Sequence, residues 1–127
     1  MTPPPPIDAG DLAEPPSADR LPDFNVISVR RDDEVIVALR GEVDLAAVPL
    51  LERELSLGSV REARDVLVDV ERVAFMDLSG LRPLLSLVLP SRPGHRVAIT
   101  AGSAPVQRLL ELSGLRRHFN VVAGDCR

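Results

Sequence analysis

Residues 75–82 read FMDLSGLR, which sets a carboxylate, Asp77, two positions from a hydroxyl, Ser79, with Leu78 between them. Such a pair could make an activated nucleophile, a phosphate acceptor, or a cap for the helix that follows. A nucleophile needs a base and a group to orient it. The only histidines, His95 and His118, stand in no nucleophile-elbow pattern and at no triad spacing, so no catalytic constellation forms and the chain reads as a non-enzyme. Two histidines and the single Cys126 give no metal-ligand pattern, and Gly41 and Gly80 stand alone rather than in a phosphate-binding loop. Neither a metal nor another cofactor is expected.

A second carboxylate, Asp44, lies in RGEVDLAAVP, and the two acidic loops become interesting only through the elements that hold them. FNVISVRR (24–31) alternates, EVIVALRGEV (34–43) has an apolar run, and Asp32 and Asp33 join them, predicting an antiparallel hairpin of an edge strand and a central strand. DLAAVPLLERELSLG (44–58) has helical spacing, with Pro49 in the first turn and Gly58 where the helix should stop. DVLVDV (65–70) is a short β-branched strand. The leucines at 81, 84, 85 and 89, with Val88, recur as an amphipathic helix does. HRVAIT (95–100) is another strand, SAPVQRLLELSG (103–114) a helix opened by Ser103 and closed by Gly114, and Phe119 to Val122 a last short strand.

Alternating strands and helices behind an opening hairpin predict an α/β fold with a mixed β-sheet and packed helices. If the second and third strands are neighbours, Asp44 and Asp77 emerge at one sheet edge, where α/β folds gather their ligands and partners. The alternative is that each aspartate only caps the helix after it.

Composition bounds the partners. The chain has 127 residues, 45% hydrophobic and 27% charged, enough for one domain. Residues 1–23, rich in proline and with no sustained apolar pattern, read as a disordered acidic arm ahead of a folded part at 24–127. The arm holds Asp8, Asp11, Glu14, Asp19 and Asp23 against Arg20, which accounts for the whole formal net charge of -4 and leaves the folded part neutral. With no basic excess, no Tyr and no Trp, nucleic acid and direct membrane contact are not expected. No stretch has the length of a spanning helix or the layout of a signal peptide, which points to the cytoplasm.

Three blocks, GEVDLAAVPLLERELS, VLVDVERVAFMDLSGLRPLL and GHRVAITAGSAPVQRLLELSGL, resemble in order and spacing those of the STAS domain, the sulfate transporter and anti-sigma factor antagonist family. The resemblance covers about residues 24–122. It implies an anti-anti-sigma factor: a module that binds an anti-sigma factor with a histidine-kinase-like ATPase fold and so frees a sigma factor. In that family the kinase phosphorylates a Ser or Thr directly after the Asp of this block, and phosphate there opposes binding by charge and desolvation. Leu78 occupies that position, so the usual switch is missing, and Ser79 matches a second hydroxyl position that is a candidate for phosphorylation.

Leu78 continues the apolar stripe of Leu81 and fits the core; it equally fits an apolar contact for a partner that stays bound without phosphate control. Because proline is comfortable only in a first turn, Pro83 predicts a helix start at Ser79 or Gly80, with Ser79 as cap and Asp77 and Leu78 in an exposed loop. The expected partner-binding edge comprises Asp44, Asp77, Leu78, Ser79, Gly80 and Leu81, with Gly80 permitting close approach. A STAS subunit that binds the ATPase of a lipid-transporting ABC system is the alternative, since it would need no phosphoacceptor. The family often adds a helix after the last strand; a chain ending AGDCR is expected to leave an apolar patch for a partner or a second copy.

Overall fold

The structure, a computed structural model, describes residues 23–89 and 93–123. Apart from Asp23, the expected arm lies outside the described residues, as does Cys126.

Strands β1 (Phe24–Arg31) and β2 (Glu34–Val43) form the expected antiparallel hairpin, turned at Asp32, which takes φ 55. Along β2, Val35, Val37, Leu39 and Val43 are buried, while Ile36 and Ala38 on the other face are only half-buried. Strand β3 runs Asp65–Met76, twice the expected length, parallel to β2. The pairing slips between Ala38 and Arg40 and again between Gly41 and Glu42, so the period of two breaks after Val70 and the next buried residues are Val73 and Met76. That break hides the second half of the strand from a reading by alternation.

The helix expected over 44–58 is divided. A 3-10 turn at Leu45–Ala47 leads into α1 (Val48–Leu55), with Pro49 in the first turn; Gly58 does not end this helix but opens a short α2 (Gly58–Arg61). Helix α3 (Leu78–Val88) follows β3, then come β4 (Arg96–Thr100), α4 (Ala104–Ser113) closed by left-handed Gly114 at φ 74, and β5 (Asn120–Val122). Ser103 sits at the N-cap position of α4, but its hydroxyl donates to the Val73 carbonyl at 2.6 Å rather than capping the helix.

The sheet order is β1-β2-β3-β4-β5, antiparallel at β1–β2 and parallel thereafter. Each parallel strand is added on the same side of the last, and crossovers of one hand then place every helix on one face. The contacts agree. Ser28, which faces inward beside Val37, donates to Glu54 of α1 at 2.6 Å. Gly80 of α3 abuts Val43, and Gly102 ahead of α4 abuts Val70. One core results, between the inward face of the sheet and Leu51, Leu55, Leu81, Leu84, Leu87, Val106 and Leu110 of the helices.

Candidate functional site

The site is built where β2 and β3 end side by side. Val43 pairs with Met76 as the last step of the ladder, and the next residues are Asp44 and Asp77. The Asp77 N–H still donates to the Val43 carbonyl at 3.3 Å, so the two aspartates are brought to one edge, as their loops predicted.

Both carboxylates cap. Asp44 Oδ1 accepts from the Ala46 N–H at 3.1 Å and starts the 3-10 turn. Asp77 Oδ1 accepts from the Gly80 N–H at 3.3 Å and starts α3, while its carbonyl takes the Leu81 N–H at 3.2 Å. The helix therefore begins at Leu78, not at Ser79 or Gly80, and the cap is Asp77, not Ser79. Pro83 lies inside α3 and is buried. A proline there costs about 3 kcal/mol, but burying Leu81, Leu84 and Leu87, at roughly 2 kcal/mol each, outweighs it. Backbone preference alone would start the helix later; tertiary packing decides the start instead.

The edge divides into residues that face inward and residues that face solvent. Gly80 is buried: a Cβ on it would stand 2.5 Å from the Val43 carbonyl oxygen and 2.6 Å from Val43 Cγ1. The close approach it permits is to the protein's own strand rather than to a partner. Leu81, expected at the binding surface, is 0% exposed and belongs to the core. Asp44, Asp77 and Ser79 are half-buried, and Ser79, at the second helical position, is released from the capping role. Leu78 is 49% exposed, so of its two readings the structure places it outside the core.

Two residues that sequence reasoning did not single out join Leu78: Leu45, 71% exposed, and Phe75, 47% exposed. Leu45 follows Asp44 as Leu78 follows Asp77, and Phe75 pairs with Glu42 one step inside the strand ends. A signal for Phe75 existed in the sequence, since adjacent Phe75 and Met76 cannot both face inward from one strand. Three exposed apolar residues, Leu45, Phe75 and Leu78, thus stand within two positions of Asp44 or Asp77 in the chain, at the ends of two paired strands.

The structure sets His95 and Ser79 at opposite ends of the sheet. His95 binds the Ala63 carbonyl through Nδ1 at 2.8 Å, ahead of β3, whereas Ser79 follows its end. A strand of 12 residues separates them by roughly 40 Å. Among the described residues no cluster of His, Cys, Asp or Glu could hold a metal ion, and no helix is long and apolar enough to cross a membrane.

A mixed sheet with one helical layer and two capped loops at the ends of adjacent parallel strands defines a small α/β domain. The STAS domain model matches residues 25–124, and the chain belongs to the STAS domain family. An anti-sigma-B factor antagonist of Staphylococcus aureus is 29% identical over 102 residues, covering 80% of this chain and 94% of that protein. An anti-sigma factor antagonist from Mycobacterium paratuberculosis, 22% identical, has the same fold with a TM-score of 0.72 over 80% of this chain and 87% of that one. The anti-sigma factor antagonist SpoIIAA in its unphosphorylated form is 25% identical, with a TM-score of 0.55 over 79% of this chain and 88% of that one.

Proposed function

We propose that this protein is an anti-sigma factor antagonist, a non-enzymatic regulator in the cytoplasm that binds an anti-sigma factor of the histidine-kinase-like ATPase fold. The single observation that carries the reading is Leu78, half-exposed immediately after the capping Asp77, with Leu45 and Phe75 also exposed near the ends of the same paired strands. The names of the relatives support the class of partner. The contact is apolar at its centre, where interface energy concentrates, and acidic at its rim.

Leu78 has no hydroxyl, so the partner's kinase activity cannot switch binding there. Ser79 is then the hydroxyl within reach of a kinase. Its side chain is not spent on capping, but it is half-buried at the first turn of α3, and phosphate at that point would bring charge into a packed helix start.

The test is affinity for the cognate anti-sigma factor, identified by co-purification from native lysate. Leu78→Glu should weaken binding by tenfold or more, about 1.4 kcal/mol, with the melting temperature unchanged. Equal affinity would remove Leu78 from the interface, and co-purification of a transporter ATPase instead would assign the protein to the other class of STAS subunit.

A further inference from the structure

The sheet has a second face. All three longer helices cover the face that carries Val43, Val70 and Ser28, and no described element covers the other. Across that open face Val29, Ile36, Leu67 and Ala98 pair in register from β1 to β4, an apolar row over four strands, with Ile27 next to Val29 on the same side. Ile27 and Val29 are 53% and 49% exposed. At the end of the face nearest the site, Arg40 and Arg72 stand directly opposite each other, both exposed, and the one carboxylate of the preceding pair, Asp69 opposite Ala38, already accepts from the Glu71 N–H. Like charges so placed repel, and carboxylates set between them would reverse the sign of that interaction.

We propose that residues 1–22 of the chain itself cover this face. Their point of attachment is fixed: the Asp23 carbonyl accepts from the Glu42 N–H at 2.7 Å, and Asn25 pairs with Arg40, so the segment departs beside the two arginines. Its charge is complementary, with Asp8, Asp11, Glu14 and Asp19 against Arg20, and Ile7, Leu12 and Leu21 supply apolar groups for the row. Its length is ample. At about 3.3 Å per residue, residues 1–22 reach roughly 70 Å, whereas the face along β1 is about 26 Å long. Pro3 to Pro6, Pro15, Pro16 and Pro22 lack the N–H for a sheet ladder, which favours lying on the face over adding a strand to the β1 edge. The acids hold Arg40 and Arg72, the apolar side chains cover Ile27, Val29 and Leu67, and a second copy is kept off.

The experiment uses the full chain with Cys126→Ser and Ser17→Cys, a nitroxide on the new thiol, and NMR intensities of the folded part. Signal loss is expected at Ile27, Val29 and Leu67 but not at Leu112 on the outer surface of α4, and it should be relieved by Arg40→Glu with Arg72→Glu. Raising the salt to 1 M, where the Debye length falls to about 3 Å, should relieve it in part without any substitution. No loss at the open face, or equal loss at Leu112, would overturn the proposal. So would loss that appears when the nitroxide is on one copy and the isotope on another, because a second copy would then be the occupant.

Discussion

Asp44 and Asp77 are structural equivalents: each directly follows one member of the last β2–β3 pair, each is extended, at φ -117, ψ -168 and φ -111, ψ -176, and each caps the turn that follows. The carboxylates therefore hold the edge in shape, and their free lone pairs are what a partner can meet.

Removing either cap should cost stability. Asp77→Ala removes the side-chain acceptor of the Gly80 N–H, which keeps only its 3.1 Å bond to the carbonyl of residue 77, and should destabilise by about 1 kcal/mol or less, read as a lower urea midpoint at unchanged m-value. Asp44→Ala should cost less, since a 3-10 turn of three residues depends on it rather than a helix of eleven. Asp77→Asn, which can still accept the bond, should be close to neutral.

Gly80→Ala should invert the usual rule. In a free helix alanine is better than glycine by about 1 kcal/mol, but here the new methyl meets the Val43 carbonyl and side chain. Separating α3 from the end of β2 to accommodate it should destabilise by about 1–3 kcal/mol. Thermal unfolding measures this, and a rise in melting temperature would mean that the helix start is less tightly packed than the structure has it.

Much of this was legible in the sequence because local chemistry and global packing agree. The hairpin around Asp32, Pro49 in a first turn, Gly114 as a left-handed cap and the leucines of α3 each follow from a rule that holds over a few residues. What was not legible depends on contacts far apart in the chain. The second half of β3 is hidden by slips in register with β2, and Pro83 is tolerated because leucines on both sides of it are buried. Gly80 sits in a motif that reads as surface, and only the neighbouring strand turns it inward, whereas Leu81 belonged both to that motif and to the apolar stripe, and the stripe decides its burial.

Thr100 provides a test of that longer-range order. It is 0% exposed, and its Oγ1 accepts the Val70 N–H at 2.9 Å, just beyond the point where β3 and β4 stop pairing. Thr100→Val keeps the shape and removes the acceptor, leaving a buried N–H unpaired at a cost of about 1–3 kcal/mol. Hydrogen exchange at Val70 should accelerate more than at Val66 or Val68, which keep their places in the ladder.

Leu78 and Leu81, one helical turn apart, should separate binding from folding. Leu81 is fully buried, so Leu81→Ala should cost about 2–5 kcal/mol of stability and weaken partner binding only through the unfolded fraction. Leu78 is half-exposed at the first helical position, so Leu78→Ala should change stability by no more than about 0.5 kcal/mol while lowering affinity. Measuring melting temperature and dissociation constant on both variants resolves the two roles. If Leu78→Ala lost stability without affinity, the exposed leucine would be packing on α3 rather than awaiting a partner, and Leu45 and Phe75 would have to carry the contact alone.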